Sequence, residues 1–538
     1  MQQLWTYADV WEAIADAAPE RIALSHGGQS TSWRAFERRA HALGAACLAA
    51  GLRTQDKVAL YLFNGPEYME AAFAAFKARL VPVNTNYRYV DDELHYLWTN
   101  ADVAAVIFHG AFTPRVEAIR ARCPDIRLWI HVDDGSDACP AWAMPYEKAV
   151  AAADARALSG RSGDDLILIY TGGTTGLPRG VMWRQHDLYM ASNTTSDPAQ
   201  LDLAGVRDRI ANTAAPPIGL SAAPLMHGTG FVFATTILHR GGTLVTSQER
   251  KFEAEALLDT IAGKKVTDLC IVGDAFCRPI VESLESEPGR WDLSSLKVVT
   301  SSGMAWSPDV KQRLLAHAPG CLLIDFLNAS EASGLGRSLT SKRASAQESR
   351  FKLGVNAFVI REDGTPVVPG SGEIGRVAVR GYIPLGYYKD PAKSAATFSV
   401  INGVRCSVPG DYATVEADGS ITLLGRGSVS INTGGEKVFP EEVESALKTH
   451  PHVRDAVVVG VPDPRFGEIV AALVEASAGQ SIDAVALIAH VRGKLARHKA
   501  PRHVMPVASI GRGPNGKADY PGLRRQMVEW LDKEARNQ

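Results

Sequence analysis

Short apolar runs alternate with amphipathic stretches from about residue 50 onward, and this rhythm constrains the fold more than any other feature. Strands are predicted at residues 58–62, 103–108, 128–132, 269–272, 298–300 and 322–326. Helices are predicted at residues 68–78 and 112–122. Strands that alternate with helices form crossover units around a parallel sheet, so the fold class is α/β.

The chain is too long for one hydrophobic core. It has 538 residues, whereas single cores stop growing near ~250–300 residues, so two or three folding units are expected. Residues 197–217 have weak periodicity and are predicted to be a flexible insertion. Residues 425–438 are rich in Gly and Ser and are predicted to be a linker or mobile loop. A small α+β domain should follow, with helices at 441–448, 482–496 and 523–533 and strands at 456–461 and 469–475.

Charge and composition exclude several classes of protein. The net charge is −2, which argues against a nucleic-acid partner. Hydrophobic residues make up 46% and charged residues 22%, and no apolar run approaches the ~20 residues of a membrane span. The N-terminus does not read as a signal peptide. Seven scattered cysteines without a CxxC pair are typical of reduced thiols, so a cytoplasmic location is expected.

A loop rich in Gly and Thr follows the apolar run 166–170. Its sequence, TGGTTGLPRG, comprises residues 171–180. Its glycines let the backbone approach an anion closely, and its threonine hydroxyls add donors. Arg179 adds a cation that can pair with phosphate oxygens. The residues therefore favour a phosphate cradle, with a plain strand-to-strand turn as the alternative.

This loop resembles the phosphate-binding signature of the adenylate-forming superfamily, which includes acyl-CoA synthetases. Gly172 and Arg179 stand where the family usually has Ser and Lys. The resemblance implies that Thr171, Gly172, Gly173, Thr174, Thr175, Gly176 and Arg179 bind the nucleotide phosphates. It also implies a large N-terminal domain of layered sheets and helices with a small mobile α+β C-terminal domain.

The other motifs of that family follow in order along the chain. In PLMHGTG, His227 resembles the histidine between the nucleotide and the acyl pocket. Further nucleotide contacts are implied for Ser302, Gly303, Met304, Asn328, Ala329, Ser330, Asp411 and Arg426. Leu327 and Asn328 stand where an aromatic residue and glycine are usual. Glu331 resembles the ligand of Mg²⁺, a metal that takes few protein oxygens.

The C-terminal motif PNGK carries Lys517, which resembles the catalytic lysine of the adenylation step. The implied domains are residues 1–426, a hinge at 427–429, and residues 430–538. Val429 lies in that hinge, where the family often has Asp or Lys. Rotation about the hinge would withdraw Lys517 and bring forward the CoA-binding segment Gly434, Gly435, Glu436 and Lys437.

The resemblance therefore implies an AMP-forming acid–thiol ligase that uses ATP, Mg²⁺ and coenzyme A. Catalytic roles are implied for Lys517, Glu331, Thr174 and His227. Acyl-pocket candidates are His227, Phe231, Val272, Phe276 and Ser302, which suit a medium- or long-chain fatty acid or a bulky alicyclic or steroid-derived acid. The alternatives are transfer to a carrier-protein thiol, although no carrier domain is expected on this chain, and a non-catalytic nucleotide-binding protein. The resemblance also implies a homodimer.

Overall fold

The structure is a computed structural model. It describes residues 4–151, 158–173, 176–193, 201–342, 350–427, 430–433, 436–463, 466–513 and 516–537.

The described residues form helices in both the N-terminal and the C-terminal regions of the chain. They are α1 (Tyr7–Ala17), α2 (Trp33–Ala49), α3 (Pro66–Lys77), α4 (Asp91–Asn100), α5 (Thr113–Arg120), α6 (Tyr146–Ala151), α7 (Gln185–Ser192), α8 (Leu203–Asn212), α9 (Gly228–His239), α10 (Ala254–Lys264), α11 (Gly273–Ser286), α12 (Pro308–His317), α13 (Pro391–Thr397), α14 (Pro440–Lys448), α15 (Ala484–Arg492) and α16 (Tyr520–Asn537).

The strands are mostly short. They are β1 (Ile22–His26), β2 (Gln29–Ser32), β3 (Lys57–Tyr61), β4 (Val81–Asn84), β5 (Val103–His109), β6 (Leu128–Val132), β7 (Met144–Pro145), β8 (Leu166–Gly173), β9 (Gly176–Arg184), β10 (Ile218–Ser221), β11 (Thr243–Thr246), β12 (Asp268–Ile271), β13 (Val298–Ser302), β14 (Leu322–Ala329), β15 (Ala332–Thr340), β16 (Arg350–Leu353), β17 (Ala357–Ile360), β18 (Ile374–Arg380), β19 (Gly386–Tyr387), β20 (Val400–Ile401), β21 (Val404–Ser407), β22 (Asp411–Val415), β23 (Ser420–Arg426), β24 (Ile431–Thr433), β25 (Glu436–Val438), β26 (Val453–Asp463), β27 (Gly467–Ala476) and β28 (His503–Val507).

The described strands form three sheets. A 15-stranded sheet runs β2-β1-β11-β10-β12-β13-β14-β15-β16-β23-β22-β18-β21-β20, with β17 paired to β18. An 8-stranded sheet runs β19-β9-β8-β4-β3-β5-β6-β7, and a 5-stranded sheet of the C-terminal region contains β24 to β28. The pairs from β10 to β14 and from β3 to β6 are parallel, which confirms the predicted α/β class. One cluster of buried side chains joins α1, α2, α3 and α9 to the 8-stranded sheet.

Two local predictions were wrong. Part of the predicted insertion at 197–217 is α8, which Asp202 caps by accepting a hydrogen bond from the Gly205 N–H at 2.7 Å. Its buried Val206 and Ile210 pack into the same core as α1, and two apolar residues are too few to show helical periodicity. The predicted linker at 425–438 contains the ends of β23 and the antiparallel pair β24–β25.

His239, in the last turn of α9, is buried among aromatic rings. Its ring centroid lies 4.8 Å from those of Tyr7 and Tyr189, and 6.0 Å from that of Trp11. Burial, with a smaller effect of the positive charge of Arg209, lowers the pKa of His239 to about 3. The unfolded chain would titrate near ~6.5, so between these two values the unfolded state binds one more proton.

The His239→Phe substitution should therefore remove one acid-sensitive contribution to stability. In the wild type this contribution is present above pH ~6.5 and is lost as the pH falls, by about 2 kcal/mol at pH ~5. Urea unfolding measures the free energy of unfolding at pH ~7.5 and at pH ~5. The change in this free energy between the two pH values should be smaller in the variant than in the wild type by that amount. The exposed His498 offers a matched control, because His498→Phe should leave the difference unchanged. Equal pH dependence in wild type and His239→Phe would contradict the argument.

Candidate active site

The Gly- and Thr-rich segment forms the hairpin between β8 and β9. Thr171 pairs with Arg179 and Gly173 with Gly176, so the described residues before and after Thr174 and Thr175 belong to two paired antiparallel strands. Gly180 cannot carry a side chain, because an added Cβ would lie 2.5 Å from the ring of Tyr170. Thr174 and Thr175 lie outside the described residues, and their predicted contacts with phosphate stay predictions.

Arg179 has a carboxylate partner in this structure. Its Nε donates to Asp390 Oδ2 at 3.2 Å, and both side chains are about one-third exposed. The five N–H donors of the guanidinium allow it to bind a phosphate while it keeps its contact with Asp390.

Asn84, at the end of β4, was missed by the sequence reasoning. Its Nδ2 donates to the carbonyl groups of Tyr170 and Met226 at 2.9 and 2.6 Å. Its Oδ1 accepts from the Tyr170 N–H at 2.6 Å. Asn84 therefore ties β8, at Tyr170, to the segment that carries His227. A polar residue that ends an otherwise apolar strand was the available signal.

Glu331 lies in the tight turn between β14 and β15. Its carboxylate Oε1 accepts from the Tyr387 hydroxyl at 2.8 Å, and its backbone carbonyl accepts from Ser407 Oγ at 2.6 Å. The indole of Trp183 donates to the Ser330 carbonyl at 2.9 Å. Burial and the charge of Glu331 raise the pKa of Tyr387, which therefore stays protonated and donates.

The turn itself is held by Asn328, whose Oδ1 accepts from the Gly334 N–H at 2.8 Å. Ala329 ends β14 and pairs with Ala332 across the turn. Among the described residues, no group of three or more His, Cys, Asp or Glu side chains is placed to hold a metal. A single fixed carboxylate suits Mg²⁺ that completes its shell with phosphate and water oxygens, so Glu331 fits that ion.

Asp411 and Arg426 come together across a strand pair. Asp411 begins β22, is buried, and pairs directly with Arg426 of β23. The side chain of Arg426 lies outside the described part of the structure. Ser302 ends β13, where it pairs with Phe326 of β14. Ser407, four residues before Asp411, donates its hydroxyl to the Glu331 carbonyl.

Gly303 and Met304 follow Ser302 in a turn beside the start of α9. Gly303 has a φ of +93°, a conformation that favours glycine, and an added Cβ would lie 3.7 Å from Thr229 Oγ1. Gly303, one of the predicted nucleotide contacts, therefore lies next to the His227 segment.

His227 and Lys517 lie near enough to interact electrostatically, although they are far apart in sequence. His227 precedes α9, and burial followed by the charges of Lys517 and Arg88 lowers its pKa to about 4. The imidazole is therefore neutral at physiological pH, and the ammonium of Lys517 is within electrostatic reach of it. The C-terminal part of the chain is docked with Lys517 at the predicted site.

An apolar cavity adjoins this point. It is lined by Leu60, Tyr68, Pro82, Asn84, Ile167, Leu168, Ile169, Leu225, Met226, His227, Gly228 and Phe231. Two predicted pocket residues, His227 and Phe231, thus share one cavity. The other three do not line it: Val272 lies beside Gly303, Phe276 packs on Phe252 with ring centroids 4.6 Å apart, and Ser302 ends β13.

The predicted hinge and CoA segment are only partly described. The Gly427 N–H donates to the Gly410 carbonyl at 3.0 Å, whereas Ser428 and Val429 lie outside the described residues. Glu436 begins β25 and is exposed. Gly434, Gly435 and the side chain of Lys437 are also outside the described set, so their contacts with CoA stay predictions.

Comparison with known proteins agrees with this geometry. The family profile described as AMP-binding enzyme matches residues 11–388, and that of the AMP-binding enzyme C-terminal domain matches residues 442–517. The chain therefore belongs to the family of AMP-binding enzymes, in the branch of AMP-forming acyl-CoA synthetases. The family resemblance and the enzyme class predicted from the motifs are confirmed.

Two relatives and two solved structures illustrate the similarity. A Mycolicibacterium smegmatis medium/long-chain-fatty-acid–CoA/3-oxocholest-4-en-26-oate–CoA ligase is 41% identical over 531 residues, which cover 95% of each chain. A Rhodococcus rhodochrous 3-oxocholest-4-en-26-oate–CoA ligase is 40% identical over 95% of this chain and 94% of its own. The fold is similar to that of the anthranilate CoA ligase AuaEII in complex with anthranoyl-AMP, with a TM-score of 0.82 at 21% identity over 99% of each chain. It is also similar to a benzoate CoA ligase from Burkholderia xenovorans, with a TM-score of 0.79 at 21% identity over 97% of this chain and 100% of the other.

None of the described helices has the length and hydropathy needed to cross a membrane.

Proposed function

We propose that the protein activates a hydrophobic carboxylic acid with ATP and transfers the acyl group to the thiol of coenzyme A. The observation that carries the proposal is the convergence of Lys517, His227 and an apolar cavity in one place. The relatives act on medium- and long-chain fatty acids and on a steroid acid, and the apolar lining suits acids of that kind.

The first step joins the acid to AMP. An oxygen of the acid's carboxylate forms a bond to the α-phosphorus, and the bond from that phosphorus to the β-phosphate oxygen breaks, which releases pyrophosphate. Two anions must meet, so a fixed ammonium lowers the barrier by neutralising charge in the transition state. Lys517 supplies it, and the neutral imidazole of His227 adds no competing charge.

Other side chains bind and orient the nucleotide. The hairpin of β8 and β9, with Thr174, Thr175 and Arg179, holds the phosphates, while Asp411 and Arg426 hold the ribose. Glu331 would hold Mg²⁺, which when bound would offset the negative charge of the phosphates.

The second step transfers the acyl group. The thiolate sulfur of CoA attacks the carbonyl carbon of the mixed anhydride, the bond to the AMP oxygen breaks, and AMP leaves. Lys517 must clear the site for this step, and we assign the segment around Glu436 to the pantetheine arm. The domain division at 427–429, a homodimer and a cytoplasmic location stay predictions.

Formation of AMP and pyrophosphate from ATP and Mg²⁺ tests the function across a panel of acids, with and without CoA. The panel runs from acetate and benzoate through octanoate and palmitate to 3-oxocholest-4-en-26-oate. We expect turnover only when CoA and a hydrophobic acid are both present, at least ~10-fold faster than with acetate, because each buried methylene adds ~0.8 kcal/mol. Activation without CoA-dependent turnover would indicate a carrier-protein acceptor, and no pyrophosphate with any acid would leave a nucleotide-binding protein.

A further inference from the structure

The residue before Lys517 lies directly on the large N-terminal part of the chain. Gly516 is buried and has a φ of +72°. A Cβ added there would lie 2.9 Å from Met304 Cγ, 3.3 Å from Ala275 Cβ and 3.5 Å from Val272 Cγ1. The backbone of the Lys517 loop therefore rests on these three side chains, which we term the docking seat.

The docking seat is held by hydrogen bonds at the start of α11. The Gly273 N–H donates to Ser301 Oγ at 2.9 Å, and the Asp274 N–H donates to the Ala305 carbonyl at 3.1 Å. The Asp274 carboxylate accepts from the Ser307 N–H at 2.8 Å and from the Ser307 hydroxyl. These bonds join α11 to the turn that carries Met304, so the three seat residues keep a fixed relation.

The loop is held from its other side by Arg512. This side chain donates to the Gly516 carbonyl at 3.2 Å and, through Nη2, to Asp455 Oδ1 at 2.9 Å. Within the loop, the Gly513 N–H donates to the Lys517 carbonyl and the Gly516 N–H to the Gly513 carbonyl, both at 2.8 Å. These bonds tie Gly516 and the backbone of Lys517 to Gly513 and Arg512, so a displacement of Gly516 from the seat should also displace Lys517.

We propose that the docking seat sets the position of Lys517 for acyl-adenylate formation, and that Ala275 is a positioning residue that must stay small. The inference rests on the proposed function. Ala275 is half-buried and its methyl carbon lies 3.3 Å from where a Cβ on Gly516 would stand, so a larger side chain at position 275 would lift Gly516 from the seat. A displacement of about 1 Å can cost about 100-fold in rate when a catalytic group is misplaced.

The Ala275→Leu variant tests this through the two half-reactions. Pyrophosphate release from ATP and the preferred acid should fall at least ~10-fold, because the ammonium no longer reaches the α-phosphate. Thioester formation from preformed acyl-AMP and CoA should stay within about threefold of wild type. That step breaks a bond at the carbonyl carbon, where the charge-neutralising role of Lys517 is already complete.

Glu282→Leu is the matched control. It makes the same residue two turns further along α11, where the side chain is exposed, and both half-reactions should match wild type. Ala275→Gly should also retain pyrophosphate release, because it leaves the seat open, and thermal unfolding shows whether each variant is folded. If Ala275→Leu releases pyrophosphate as fast as wild type, the proposal is overturned. It is also overturned if Ala275→Leu loses both half-reactions to the same extent while Glu282→Leu stays active. A wild-type protein that activates no acid would instead overturn the proposed function.

Discussion

Replacement of Lys517 by Ala should lower the rate of pyrophosphate release by about 100- to 1000-fold, the usual effect of removing one preorganised electrostatic group. The carboxylate of the acid and the α-phosphate repel each other as they approach, and Lys517 is the ammonium that the structure brings beside His227. The affinity for ATP should change far less, because the charge acts mainly where the two anions meet. Single-turnover pyrophosphate release and equilibrium binding of ATP separate the two quantities.

The same variant carries an internal structural check. Because the charge of Lys517 contributes to the low pKa of His227, that pKa should rise in Lys517→Ala, and NMR titration of the imidazole can follow it. The exposed Lys533 of α16 is the matched control, since Lys533→Ala removes an equal charge 16 residues after the motif. A Lys517→Ala enzyme that releases pyrophosphate as fast as wild type would exclude Lys517 from the first step. An unchanged pKa of His227 would show that the loop does not dock as described.

The fold was predictable wherever burial repeats with a regular period. The strand predicted at 128–132 is β6 with the same bounds, and the C-terminal helices and strands differ from the predictions mainly at their ends. Fully buried strands of a parallel sheet are continuous apolar runs, which a sequence displays directly. By contrast, α8 buries only Val206 and Ile210, so its helical pattern is too short to detect.

The residue types of the site were predictable, but their partners were not. The motifs identified Glu331 and Asp411 as candidates, and the structure places them in a turn and at the start of a strand. The bond from Tyr387 to Glu331 spans 56 positions, and that from Arg179 to Asp390 spans 211. Such pairs depend on the order of strands within the sheets, which no local pattern contains. For the same reason, the sequence could not predict the contacts of Asn84 and Gly516.

The second large effect is expected for Glu331→Gln. The substitution keeps the shape of the side chain and an oxygen that can accept from Tyr387, but it removes the negative charge that would hold Mg²⁺. The Mg²⁺ concentration for half-maximal pyrophosphate release should rise at least ~10-fold, and the maximal rate should fall about 100-fold, because a metal contributes several kcal/mol to charge stabilisation. Steady-state rates over a Mg²⁺ titration at fixed ATP measure both quantities.

Two further variants decide between charge and geometry at this carboxylate. Tyr387→Phe removes the hydrogen bond that orients Glu331 and leaves the carboxylate charge in place, so we expect a loss of about 3- to 10-fold in rate with little change in the Mg²⁺ requirement. Glu362→Gln, at an exposed position, removes a carboxylate without effect on either quantity. If Glu331→Gln and wild type respond to Mg²⁺ alike, the metal is held without this side chain. If instead Tyr387→Phe reproduces the whole effect of Glu331→Gln, the orientation of the turn, and not the charge, is what the reaction requires.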